Sequence, residues 1–111
     1  MRSAITLASL ALLAASITGC GYPKPGGAPP PLSGADVASA KSRFPDATDA
    51  SLSSGRDLFL AKCNGCHDYP DLSSVAEGAW PKIMGRMGPN AKLDAAQTDA
   101  VLRFVLVARA R

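Results

Sequence analysis

With 111 residues the chain is at most one ordinary domain, and its 47% hydrophobic fraction is inflated by an apolar N-terminus. Twelve Lys and Arg against nine Asp and Glu give a formal charge of +3, and a leader carrying Arg2 accounts for one of those charges. That balance is too modest and too scattered for a nucleic-acid surface or a strong membrane-surface patch.

Residues 1–19 read as an export signal: Arg2 near the start, an apolar run from Ala4 to about Ala15, then small residues. The run is too short for a comfortable membrane span. It ends in Ile17-Thr18-Gly19-Cys20, which resembles the bacterial lipoprotein signal, in which cleavage falls before the cysteine and the cysteine carries the lipid. Cys20 is then the lipidation site and the membrane partner is reached through its acyl chains, more than one chain being the condition for lasting attachment. An ordinary cleavable signal with an incidental Cys20 is the alternative.

Residues 20–50 are expected to be a tether with a possible short helix. From Gly21 to about Gly34, Pro, Gly and small residues dominate, with Pro29-Pro30-Pro31 at the centre, a composition that stays extended and buries no core. Extended at about 3.1 Å per residue, this stretch would lift the folded part roughly 40 Å off the membrane. A proline-rich ligand for a partner domain is the other reading. Residues 35–44 allow a short helix ending before Pro45, and Phe44 and Leu52 are expected to pack onto the folded part from outside.

The first firm helix is expected to start at Ser53 or Ser54, a serine cap with Asp57 in the first turn. Gly55, Phe59 and Cys63 recur every four residues and share one face. They lead into Cys63-Asn64-Gly65-Cys66-His67, which reads as a c-type haem attachment motif: two thiols add across the haem vinyl groups and the adjacent imidazole becomes the proximal iron ligand. On a helical turn both thiols reach one edge of the porphyrin. The rival readings are a thioredoxin-like redox pair, which would want a βαβ context, and half of a zinc site. Outside the motif the chain offers zinc only Cys20 and no second histidine. No disulfide is expected, because each cysteine has another role.

After the motif, Asp68-Tyr69-Pro70-Asp71 is a loop by composition. Ser74 with Glu77 suggests a cap for a middle helix, with Pro81 tolerated in its first turn. Trp80, Ile83, Met84 and Met87 form one apolar stripe, and Gly88-Pro89 is expected to end the helix. The last helix starts at Asp94, with Gln97 as capping-box partner. Val101, Phe104, Val105 and Ala108 form its inward face, Arg103 points away, and Arg109 and Arg111 suit the negative end of the helix dipole.

Gly55-x-x-x-Phe59-x-x-x-Cys63-x-x-Cys66-His67 resembles the N-terminal helix of class I cytochromes c, and the likeness extends over residues 53–111. It implies an all-α fold, a small bundle of about three helices around one covalently bound haem c, with the haem domain at 51–111. It also implies that Gly55 lets the last helix cross closely and that Phe104 meets Gly55 and Phe59 there. A proline carbonyl, for which Pro70 is the candidate, accepts the second ring N–H of the proximal histidine in that family. Phe59 and Trp80 are the expected haem-lining residues. A folded region of about 60 residues is marginal by area burial alone, so the haem is expected to supply the missing core.

The metal ligands expected are His67 and Met87. His67 is the only histidine, which excludes bis-histidine ligation, and once Met1 leaves with the signal only Met84 and Met87 remain as thioethers. Met87 has the family's order of Met, short loop, capped helix, with Met84 as second choice; both filling the core under Trp80 is the plain alternative. Thioether ligation raises the potential and closes the iron to substrate. The expected function is therefore electron carriage between redox protein partners on the periplasmic side of a bacterial envelope, with no enzyme activity of its own. A five-coordinate haem sensor or gas-binding protein, and a haem subunit of a larger oxidoreductase, are the alternatives. A peroxidase would need a distal acid–base group, most often His, and none is left.

Overall fold

The computed structural model describes residues 24–111; the expected leader, Cys20 and the first residues of the tether lie outside them. Within the described residues the fold is all-α, with four α-helices and no strand: α1 (Gly34–Ala40), α2 (Asp49–Lys62), α3 (Trp80–Asn90) and α4 (Ala95–Ala108). Two 3₁₀ turns, Leu72–Ser74 and Glu77–Ala79, lead into α3. Helix α4 is central and packs on each of the other three.

The start of α4 follows the expected capping box: the Asp94 carboxylate accepts from the Gln97 amide, and the Gln97 side chain accepts from the Asp94 amide. Val101, Phe104 and Val105 are fully buried, and Ala108 nearly so. Leu106 and Val107 are buried as well, because α1 and α2 cover the flank that α3 leaves open. Val107 joins Ala40, Ala47 and Leu52 in a second small apolar cluster. Leu52 is thus a core residue at 1% exposure rather than an outer contact.

Helix α2 begins earlier than a Ser53 cap implies. The Thr48 hydroxyl accepts from the Ser51 amide while the Ser51 hydroxyl accepts from the Thr48 amide, so a serine does the reciprocal work usually given to Glu or Gln. The extra turn brings Leu52 onto α4. A similar pair, Ser33 and Asp36, caps α1, the short helix expected over 35–44, which ends at Ala40. At the other end α2 stops at Lys62, with Cys63 as its cap residue, so the Cys63–His67 motif leaves the helix instead of continuing it.

Helices α2 and α4 cross at Gly55. A Cβ there would lie 2.9 Å from the Ala100 carbonyl carbon and 3.0 Å from Phe104 Cβ, closer than packed carbon atoms sit. The Phe59 and Phe104 rings meet beside the crossing, tilted, with centroids 5.8 Å apart, the placement expected from the resemblance stated above.

Pro81 lies in the first turn of α3, where its missing N–H costs nothing. Ser74 does not cap the helix; it closes the turn over 72–74, which Asp71 caps through the Ser73 amide. Gly88-Pro89 does not end α3 either. The helix runs on to Asn90 and closes with two bonds, Lys92 amide to Pro89 carbonyl (3.0 Å) and Leu93 amide to Gly88 carbonyl (2.9 Å), the Schellman pattern. Lys92 takes the left-handed conformation (φ 59°) that a glycine normally fills there, and Leu93 turns back into the core. Pro89 is tolerated because the carbonyl it leaves unpaired belongs to exposed Gly85.

The proline-rich stretch is no free tether from Lys24 onward. Pro25 pairs antiparallel with Pro70: the Gly26 amide donates to the Tyr69 carbonyl and the Asp71 amide to the Lys24 carbonyl, both at 2.6 Å. Pro29 is buried, and its carbonyl accepts from Arg56 Nε at 3.0 Å. Arg111 donates to the carbonyls of Pro30 and Pro31 and to that of Ala108 in the last turn of α4. Arg103 does not point away: it pairs with Asp46 and Asp99 and stacks over the half-buried Phe44 ring.

Two substitutions should shift thermal stability in opposite directions. Gly55→Ala forces the crossing apart and should destabilise by about 1–3 kcal/mol, whereas Lys92→Gly removes a left-handed side chain and should stabilise by about 1 kcal/mol. Thermal melts followed by circular dichroism measure both, and a neutral Gly55→Ala would show that the crossing is loose.

Candidate functional site

Three donors stand in one stretch at the end of α2. Cys63 caps the helix, its amide bonded to the Phe59 carbonyl at 2.9 Å, and its half-buried side chain packs against the main apolar cluster. That burial pushes the Cys63 thiol up to about 11, which keeps it protonated at neutral pH. Cys66 and His67 are exposed, and both thiols are free. The Asn64-Gly65 pair supplies the loop-forming residues that carry the chain off the helix.

The imidazole orientation is set by the backbone beside it. His67 Nδ1 lies 2.8 Å from the Asp68 carbonyl oxygen, an acceptor only, so Nδ1 is the donor in that contact and Nε2 is the ring nitrogen left for another partner. The expected acceptor, the Pro70 carbonyl, is not the one used. Pro70 is buried and pairs with Pro25, the neighbouring Tyr69 carbonyl accepts from the strap, and the carbonyl nearest the ring nitrogen is that of Asp68.

Behind the motif, Phe59 (2% exposed), Trp80 (2%) and Met84 (5%) belong to one apolar cluster, and Cys63, Tyr69 and Ile83 pack against it. Met87 is half-buried, lies in the last turn of α3, and stands outside that cluster. An open groove of about 460 Å³ runs between α3 and α4, lined by Met84, Gly85, Pro89, Leu93, Thr98 and Leu102. None of the motif residues lines it.

Tyr69, which composition places in a plain loop, is the residue that sequence reasoning missed. Its ring stacks on Phe59 at 5.6 Å between centroids, and its hydroxyl donates to the Leu60 carbonyl at 2.7 Å. The loop after His67 is thereby fastened to the helix before Cys63. An aromatic ten residues after Phe59, next to a proline, was the available signal.

Two observations bear on what the donors can hold. Among the described residues no three His, Cys, Asp or Glu side chains converge on a point, which does not suit a structural zinc site with its four protein ligands. A haem iron brings four nitrogens of its own and asks of the chain only thiols for the ring edge and one or two axial ligands. The donor set of two free thiols and an oriented imidazole suits that group. Trp80 Nε1 is also buried without a hydrogen-bond partner, a cost of about 1–3 kcal/mol that an acceptor on a bound group would offset. Comparison with protein-family models, curated proteins and solved structures finds no match.

The different burial of the two thiols predicts an order of reaction. In haem-free protein, iodoacetamide should modify exposed Cys66 well before Cys63, as read by peptide mass spectrometry. Equal rates would mean that the end of α2 frays and that Cys63 is not held against the cluster.

Proposed function

We propose that the chain is an exported, lipid-anchored monohaem c-type cytochrome with a cytochrome c-like fold, carrying single electrons between redox partners. The observation that carries this reading is the Cys63–His67 motif standing at the end of α2 with two free thiols and an exposed imidazole whose Nδ1 is engaged by the Asp68 carbonyl. Cys63 and Cys66 would hold the haem covalently, and His67 would ligate the iron. A haem so held supplies a one-electron iron couple, and the chain need not break or form bonds in a substrate.

The residues around the motif have definable work in this reading. The Asp68 carbonyl, by holding Nδ1, fixes the ring and leaves Nε2 as the nitrogen that would ligate. Tyr69 holds the loop to α2, so that the three donors keep one geometry through oxidation and reduction. Phe59 and Trp80 exclude water from the side of the helix on which Cys63 sits.

Met87 is the sixth ligand favoured here, for a reason the apolar stripe alone does not supply. Met84 is packed in the core, and withdrawing a buried methionine costs about 2–5 kcal/mol, the penalty for emptying such a site. Met87 is half-buried outside the cluster and escapes that cost. Thioether ligation then favours electron transfer over ligand binding at the iron.

The test is expression with periplasmic haem maturation. The purified protein should carry one covalent haem, seen as a single mass increment that Cys63→Ala and Cys66→Ala each prevent from forming in full. Met87→Ala should abolish the methionine-to-iron charge-transfer band while Met84→Ala keeps it. Rapid carbon monoxide binding by the reduced wild-type protein at neutral pH would overturn the carrier reading in favour of a five-coordinate sensor.

A further inference from the structure

Between Cys20 and the strap at Lys24 lie four peptide links, which reach about 14 Å at full extension. A folded unit the size of residues 24–111 has a radius of gyration of about 12 Å and so a width of about 30 Å. The leash is therefore shorter than the body it holds. Had the whole proline-rich stretch to Leu32 hung free, the reach would be about 43 Å and the body could turn in any direction. The strap removes that freedom by fastening Lys24, Pro25 and Gly26 to Tyr69, Pro70, Asp71 and the Ser74 hydroxyl.

The strap is fastened to the loop that follows the motif. Pro70 is three residues from His67, and its antiparallel partner Pro25 is one residue from the root of the leash. The far end of the body is equally well defined. Arg109, just past the end of α4, donates to the Val75 carbonyl at 3.0 Å, so the start of α4 lies about 20 Å from this loop along the helix axis. Charge at the root does not draw this loop to an anionic surface: exposed Lys24 is offset by Asp68 and Asp71 in the loop to which it is strapped. The length of the leash does.

We propose that the anchored protein stands with its 67–74 loop turned to the lipid headgroups, so that the motif exchanges its electron with a membrane-embedded redox protein rather than a soluble one. The exchange is of one electron: the partner's centre is oxidised as the His67-bound iron is reduced, or the reverse. This rests on the reading of Cys20 as lipidated and of the motif as haem-bearing, and the experiment separates those readings from the orientation.

The full-length lipidated holoprotein is reconstituted into phosphatidylethanolamine and phosphatidylglycerol vesicles carrying a paramagnetic headgroup quencher. A fluorophore is placed on a single new cysteine, Ser73→Cys beside the strap or Ala96→Cys at the far end of α4. Quenching is expected to be several-fold stronger at position 73. A Gly-Ser insert of about ten residues after Tyr22, which adds up to about 36 Å of reach, should level the two positions. Gly26→Leu should do the same, because a Cβ there would lie 2.8 Å from the Asp71 backbone and lift the strap. Haem reduction or oxidation by membranes of the producing bacterium should slow several-fold in the insert variant.

Equal quenching at both positions in the unmodified leash, with the protein co-floating with the vesicles, overturns the orientation alone. An undiminished rate in the insert variant overturns the membrane-embedded partner. Failure to co-float overturns the anchor and the orientation with it. Uptake of more than one label per chain shows motif thiols still free and overturns the haem reading and its redox partner.

Discussion

The crossing of α2 and α4 at Gly55 is the constraint on which the other placements depend. Because no side chain stands between the two backbones, Phe104 can reach Phe59, and Phe59 is held between Phe104 on one side and Tyr69 on the other. Tyr69 in turn bonds the Leu60 carbonyl. The end of α2 is thus fixed from three directions within its last turn. Cys63 sits one turn beyond Phe59, so the position of the motif follows from a glycine two turns earlier.

Outside this centre, arginines do the fastening. Glu77 pairs with both Arg43 and Arg109, and Arg103 reaches Asp46 and Asp99. Exposed ion pairs of this kind contribute about 0–1 kcal/mol each, so they are better seen as guides to register than as the source of stability. The contacts to backbone carbonyls matter differently. Pro29, Pro30 and Pro31 have no N–H to give; Arg56 pairs the carbonyl of buried Pro29, and Arg111 ties down the carbonyls of exposed Pro30 and Pro31. Charged donors to neutral carbonyls thereby turn a segment with no ladder of its own into an ordered strap.

Local chemistry was legible where one residue type has one strong preference. Asp94 with Gln97, Pro81 in a first turn and the inward face of α4 stand where pattern places them, and the Gly55, Phe59, Phe104 set where the resemblance places it. Pattern failed where two residues compete for one role. Ser53 and Ser54 qualify as N-caps, but so does Thr48, which caps the helix with Ser51 as its partner and gives a longer helix that buries Leu52. Gly88-Pro89 is a strong stop signal, yet burial of Leu93 carries the helix past it at the expense of a left-handed Lys92. The strap was illegible for a plainer reason: its partner is about 45 residues away in sequence, and a proline–proline pairing leaves no alternation of side chains to read. At the site, the string of donors was evident, whereas the acceptor for His67 Nδ1 and the unequal burial of Met84 and Met87 depend on packing that the apolar stripe does not encode.

The source of the core also differs from expectation, with a consequence for any bound group. A folded region confined to residues 51–111 would be short of apolar area, and a haem was expected to make up the deficit. Residues before 51 add apolar area to that region: Ala40 and Ala47 join Leu52 and Val107 in one cluster, and Leu32 and Phe44 pack against both clusters. Helices α2, α3 and α4 close over Phe59, Trp80 and Met84, with Trp80 Nε1 buried there without a hydrogen-bond partner. A group held by Cys63, Cys66 and His67 therefore has less to contribute as filler. What it would add is a redox centre fixed to the end of a helix whose placement the α2–α4 crossing already determines.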